Sequence, residues 1–551
     1  MVNPSPKLGM RATLSKRQLV FTMAGVLMAL FMSSLDQTIV DTAMPRIIAD
    51  LNGFAHYTWV ITIYIITSAI TIPIVGRLTD MYGRKPFYIA GIALFTVASL
   101  LSGLSQTMPQ LIIARGIQGI GAGCMIANAF TVIADIFPPA ERGKYQGLIS
   151  AVFGMSAIIG PSLGGIITDN LSWHWIFFVN LPIGIINIIL FVFFFPSIKP
   201  NGRRRQSIDY AGIITLSVGI SSLLLALSWG GAEYPWLSFP VIGTLSLAVT
   251  VLAAFILIEI RSREPLIPLD IFRNRIVAVS QVVVFLTAFG MFGVITFVPL
   301  FFQGVLGTTA AASGGFLTPM MLSQVAGSFT SGQLLSRAGG HYRIQGLAGL
   351  AIMTVGLFLL TMMTPQTSYI VVVVNIVLTG FGIGMTLPLY TIVVQNTVSY
   401  RHLGVATSSV PFVRSIGASV GLAIFGSTMT ARFASGFTAM LPQSLRDVLS
   451  PQQIAEMASN PQELISAGAQ EQIRDFLNQA SPMNGEALFQ QLQETLRAAM
   501  NGALHGIFVI CLIMALVGTA VHMLIKEIPL RTEYSEPEAS VQADSPVKLN
   551  D

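Results

Sequence analysis

Fourteen apolar runs, each about the length of one bilayer, constrain this chain more than any other feature. A helix crossing the hydrocarbon core needs roughly 20 predominantly apolar residues. The first four runs are 18–43, 57–76, 87–105 and 109–133, and the last two are 405–429 and 504–525. Of 551 residues, 53% are hydrophobic and 10% charged, whereas a soluble chain carries roughly a quarter charged residues. The pattern predicts an all-α integral membrane protein with 14 transmembrane helices. Cys124 and Cys511 both fall inside apolar runs and read as core residues without a disulfide. The first run has no small-residue cleavage site after it, so it reads as a retained helix.

Lysine and arginine set the expected orientation. Lys7, Arg11, Lys16 and Arg17 precede the first run, and every second connection is again basic. Those connections hold Arg77, Arg84 and Lys85, then Arg142 and Lys144, then Lys199 with Arg203, Arg204 and Arg205. The alternate connections hold only Arg46, Arg432, Arg446, Arg474 and Arg497, and no lysine. Both termini are therefore expected in the cytoplasm of a cell whose plasma or inner membrane holds the protein.

The connection between the second and third runs reads GRLTDMYGRKP, Gly76 to Pro86. It is expected to be a tight turn, with Gly76 and Gly83 letting helices approach closely. Its spacing returns 256 positions later, where Gly332, Leu334, Ser336 and Gly339 follow Gly76, Leu78, Asp80 and Gly83. Gly147, Gly160 and Gly164 likewise return as Gly404, Gly417 and Gly421, 257 positions on. A nearly constant offset means two copies of one six-helix bundle, with helices 7 and 8 as an inserted pair. The expected divisions are a tail 1–17, a first bundle 18–195, a linker with the inserted helices 196–275, a second bundle 276–525 and a tail 526–551. Within the second bundle, 430–503 is expected to lie outside. Asn460, Pro461 and Glu463 there form a helix-start signal. Leu488, Phe489, Leu492, Leu496 and Met500 recur at helical spacing, so a small helical cap is expected to run into helix 14. It would serve as packing or as a dock for a periplasmic or cell-wall partner or lipid headgroups.

The turn resembles the signature G-x-L-x-D-x-x-G-R-K loop of the major facilitator superfamily of secondary transporters. Three more motifs are similar to its fourteen-helix drug:proton antiporter branch. Leu35 to Val40 matches L-D-x-T-I-V, and Arg115, Gln118, Gly119 and Gly121 match R-x-x-Q-G-x-G. Gly154, Gly160, Pro161, Gly164 and Gly165 match the G-x5-G-P-x-x-G-G pattern found mainly in exporters. The resemblance implies the major facilitator fold, two six-helix bundles plus two inserted helices. It implies proton transfer at Arg115, substrate or proton recognition at Asp36, and a cytoplasmic gate at Gly76, Asp80, Gly83, Arg84 and Lys85. Asp41 departs from the pattern, which has asparagine there.

Charged residues inside a membrane cost about 2.5–3.5 kcal/mol on insertion scales and are seldom accidental. At about 1.5 Å per residue, Asp36 on helix 1 and Arg115 on helix 4 fall at similar depth, so each offsets the other's burial. Asp36, Arg115, Gln118 and Asp41 are thus the candidates for proton coupling and substrate contact. Asp41 is about 140° around the helix from Asp36 and is expected at the outer interface. Arg414 on helix 13 has no acid on its helix, and no Asp or Glu occurs within the apolar runs of helices 9 to 14. Phe31, Tyr64, Phe285, Phe289 and Phe292, with Arg414, are candidates for a mostly apolar and aromatic cavity.

No phosphate loop and no HExxH metal motif occurs, so neither ATP-driven transport nor proteolysis is supported, and no cofactor, metal or nucleic acid is expected. The reading is a non-enzymatic exporter of lipophilic compounds, cationic ones included. It works by proton antiport and alternating access, with protons, a small lipophilic substrate and membrane lipid as its partners. Export of an endogenous lipid, siderophore or metabolite is one alternative; a membrane scaffold or sensor is another.

Overall fold

A computed structural model describes residues 14–531 apart from 52–56, 197–206, 232, 309, 338–339, 460–463 and 465–466. Gly339 and the Asn460–Glu463 cap signal lie outside the described residues. Long helices dominate, and no β-strand occurs among the described residues. They are α1 (Lys16–Leu51), α2 (Tyr57–Tyr82), α3 (Arg84–Gly103), α4 (Met108–Ile136), α5 (Pro139–Asn170), α6 (Trp175–Phe194), α7 (Tyr210–Trp229), α8 (Phe239–Arg261), α9 (Arg275–Gly304), α10 (Ala310–Arg337), α11 (Tyr342–Thr361), α12 (Tyr369–Thr397), α13 (Leu403–Met440) and α14 (Gly485–His522). Thirteen of these are long and apolar enough to cross a membrane. The fourteenth, α10, is 28 residues long, but Gln324, Gln333 and its Ser, Thr and Gly residues lower its hydropathy. It packs against α5 and α12 and turns Leu322, Phe329 and Leu334 outward.

Helix starts follow local chemistry. The Thr107 hydroxyl accepts from Gln110 N at 3.4 Å, Asp209 from Gly212 N at 2.8 Å and Asn274 from Ile276 N at 2.9 Å. Each satisfies an orphan amide of a first turn. Within the spans, hydroxyls fold back onto carbonyls one turn earlier, as Thr71 does on Thr67 and Thr96 on Ile92. A hydroxyl has no water to bond there, so its own helix supplies the acceptor.

The two copies pack alike. The α2–α4, α3–α4 and α1–α5 pairs recur as α10–α12, α11–α12 and α9–α13. One glycine row makes the equivalence atomic. A Cβ on Gly121 would meet Phe95 N and Gly91 O, and one on Gly382, 261 positions later, would meet Met353 N and Gly349 O. Helices α4 and α12 are thus each pressed backbone-to-backbone against their neighbours. The α7–α8 pair packs on itself, and α7 leans on α2 and α13.

The expected turn is largely helix. Helix α2 runs to Tyr82 and α3 starts at Arg84, so the bend is one residue, Gly83, at φ 93°. That conformation favours glycine.

Helix α13 outlasts its predicted end by a turn or more, reaching Met440, and α14 begins at Gly485 instead of near 504. The stripe Leu488, Leu492, Leu496 and Met500 is buried against Phe433, Phe437, Leu441 and Leu445, in one continuous apolar cluster. Segments Gln443–Arg446, Pro451–Ser459 and Ala467–Ala480 fold over it. At about 1.5 Å per residue the 38 residues of α13 span roughly 57 Å, well beyond a hydrocarbon core of about 30 Å.

Candidate functional site

The interior of the first bundle holds a closed polar cluster. Arg115 Nη1 donates to Asp36 Oδ2 and, at 2.9 Å, to Gln118 Oε1. Gln118 Nε2 and Asn180 Nδ2 each donate to Asp36 Oδ1 at 2.8 Å. Asp36 therefore accepts three hydrogen bonds from two further helices, α4 and α6. The guanidinium lies 4.2 Å from the centre of the Tyr64 ring, a cation–π contact from α2. Asn180 is itself held by Ser99 Oγ of α3 at 3.0 Å. Asp36 and Gln118 are 0% exposed and Arg115 1%. A charge buried this deeply persists only when paired and hydrogen-bonded.

The sequence placed Asp36 and Arg115 at one depth, with Gln118 a turn further along α4, but did not mark Asn180, an uncharged amide within an apolar run. Asp41 stands exposed on α1, within electrostatic reach of both Asp36 and Arg115, and makes no hydrogen bond among the described residues. With Ser34 and Gln37 it forms a polar stripe that is not fully covered by the bundle.

A second constellation closes the end of the molecule that carries the signature turn. Asp80 Oδ1 accepts from Gly404 N at 2.9 Å and Oδ2 from Val405 N at 3.0 Å. The carboxylate thereby caps the positive end of α13, in the other bundle. Arg84 bonds Asp80 and, through Nε at 3.0 Å, Asp135 of α4. Gly76 lies against Gly404 O and Ser408, where a Cβ would have no room. Lys85 turns away: its Nζ donates to Val192 O and Phe195 O, capping the end of α6 at 2.9 and 2.8 Å. It belongs to that helix end and makes no contact across the bundles. Across the pseudo-twofold, Ser336 bonds Gln333 O of its own helix at 3.0 Å. The contact there is made by backbone instead, with Gly143 and Gly332 so close that a Cβ on either would strike the other's carbonyl. Arg142 Nη1 adds a bond to Gln395 Oε1 at 3.1 Å. Asp135, Arg142 and Gln395 were not among the sequence candidates; the first two lie just inside or beside a predicted helix end.

The α5 motif divides by face. Gly160 and Gly164 seat α1, against Thr38 and Ile39, and Gly154 seats Val325 of α10. Pro161 is exposed, and a Cβ on Gly165 would meet nothing within 4 Å. Close packing thus explains three of the four glycines.

The proposed aromatic cavity is dispersed. Tyr64 stacks on Arg115, and Phe289 is 2% exposed in the second-bundle core, edge-on to Phe425 at 4.8 Å. Phe31 packs partly buried into the first-bundle core, Phe285 O faces Gly417, and Phe292 is half-buried. A cavity of about 10 Å³ in the second bundle is lined instead by Thr287, Met291, Thr386, Tyr390 and Arg414.

Two pseudo-symmetric helical bundles, a buried ion cluster in one and a latch between them define a polytopic membrane transporter that is not an enzyme. The chain belongs to the Major Facilitator Superfamily, whose description matches residues 26–422. It is 38% identical over 528 residues to the multidrug transporter protein MdtP of Bacillus subtilis, covering 95% of this chain and 96% of that one. It is also 38% identical to multidrug resistance protein 3 of the same organism, over 83% and 88% of the two chains. In fold it is similar to the proton:xylose symporter XylE, with a TM-score of 0.54 at 12% identity, over 92% of this chain and 95% of that one.

Proposed function

We propose that this transporter is a multidrug exporter that moves lipophilic compounds out of the cell in exchange for protons, by alternating access. Relatives named as multidrug transporters over nearly the whole chain support the efflux reading. The observation that carries the proton is Asp36, a titratable carboxylate with no exposed surface, held by three donors. A proton reaches such a site by exchange along hydrogen bonds. An organic cation would have to expel Arg115, Gln118 and Asn180 to sit there, so Asp36 is the proton site and substrates bind elsewhere. When α1 repacks against α4 and α6 during the transport cycle, the Asp36–Arg115 pair separates and the carboxylate binds a proton; when the pair forms again, it releases one.

The latch at Asp80 holds the cytoplasmic side shut while the opposite side is open. The basic connections support a cytoplasmic position for that end and for both termini, in a plasma or inner membrane. The extension beyond α13 packs its own apolar stripe and acts as an outer cap. Expression in a pump-deficient bacterium across a panel of dyes, biocides and antibiotics tests the reading. Raised tolerance to several chemically unrelated lipophilic compounds is expected, and unchanged tolerance to all of them would point to an endogenous product or to a scaffold.

A further inference from the structure

The second bundle carries one intramembrane charge, and it is not where the repeat would put it. Ile376 stands 261 positions after Arg115, so α12 has no cation at the equivalent depth. The cation is Arg414 on α13, in the cavity between α9, α12 and α13. No group among the described residues hydrogen-bonds or ion-pairs with its guanidinium. Thr287, 6% exposed and with no hydrogen-bond partner for its hydroxyl, lines the same cavity. The other polar atoms of the wall are spent. Thr386 bonds Ile383 O at 2.7 Å, and the Tyr390 hydroxyl bonds His522 Nδ1 at 2.8 Å. No Asp or Glu occurs within the apolar runs of α9 to α14, and Asp36 across the molecule is already matched by Arg115.

Arg414 is half-buried, and a guanidinium without a protein partner in a mainly apolar wall is expensive unless a partner arrives from outside. A guanidinium with a neighbouring hydroxyl is a donor set for an oxyanion, since a carboxylate accepts two parallel bonds from arginine and a third from the hydroxyl. We propose that Arg414 and Thr287 form the polar end of the substrate site, and that its preferred ligands are lipophilic compounds bearing a carboxylate or similar oxyanion. The flexible side chain of Met291 forms part of the apolar wall. At about 10 Å³ the cavity here admits at most a water molecule, so the anion enters when the bundles part. This rests on the exporter reading, but it concerns equilibrium binding and is tested without transport.

Purified full-length protein in lipid nanodiscs is titrated with a fluorescent lipophilic carboxylate, with its methyl ester and with tetraphenylphosphonium. The wild type is expected to bind the carboxylate about tenfold tighter than the ester. Arg414→Gln should erase that preference by bringing acid affinity down to that of the ester, while Arg414→Lys keeps part of it and Thr287→Val weakens it. If Arg414→Gln does not fold, the Lys and Val variants carry the comparison. Equal binding of acid and ester by the wild type overturns the proposal, as does an unchanged acid preference in Thr287→Val together with Arg414→Gln or, where that does not fold, Arg414→Lys. An intact acid preference without any proton-driven transport would instead remove the antiport reading and leave this site standing.

Discussion

At the residue scale, the account turns on two carboxylates with different tasks. Asp36 is sealed inside one bundle and is read as titrating; Asp80 bridges two bundles and is read as latching. Asp80→Asn keeps the shape and one acceptor oxygen but removes the charge that faces Arg84 and the α13 amides. Charge-assisted bonds of this kind contribute about 1.5–3 kcal/mol each, enough to move an open–closed equilibrium roughly tenfold or more. The variant should reach the membrane in normal amount and export substrate several-fold more slowly. Spin labels across the turn end should report a larger open fraction. Normal export with unchanged label distances would remove the latch. Asp36 and Arg115 could be found from sequence because a charge in an apolar run is conspicuous. Asn180 could not, because an amide within an apolar run carries no charge to mark it.

At the scale of elements, glycine sets how closely helices meet. Gly143 and Gly332 bring α5 and α10 into backbone contact, whereas the equivalent place on the other side is held by a carboxylate and helix-end amides. Gly332→Val should wedge this end apart. Substrate export should fall to background while folded protein remains, and cross-linking between cysteines at Lys144 and Gln333 should drop. Efficient cross-linking with full export would show that the close approach is dispensable. Fourteen helices were legible from apolar length, and the repeat from glycine spacing. The limits of α13 and α14 were not. Arg432 and the polar residues beyond it ended the apolar count, although Phe433 and Phe437 continue the helical stripe that α14 covers. The signature turn reads as spanning Gly76 to Pro86 because charge density marks a connection, whereas only Gly83 leaves the helix.

At the scale of the molecule, one conformation is described, closed at the turn end by the Asp80 latch, the Gly143–Gly332 approach and Arg142 on Gln395. The orientation of that end is a matter of charge distribution. Single cysteines at Gln106 and Gln479, both exposed, should react with an impermeant thiol reagent added to whole cells, and one at Ser399 only after lysis. Labelling of position 399 in intact cells would reverse the assignment of sides. The central claim is that Asp36 couples substrate to protons. Wild-type protein and Asp36→Asn are reconstituted into liposomes, and transport of a substrate found in the panel is followed with and without an imposed pH gradient. Wild-type protein should drive substrate uphill and move protons the opposite way. The variant should still equilibrate substrate down its own gradient but lose all response to the pH gradient. Uphill, pH-driven transport by Asp36→Asn would contradict the account and place the coupling site elsewhere.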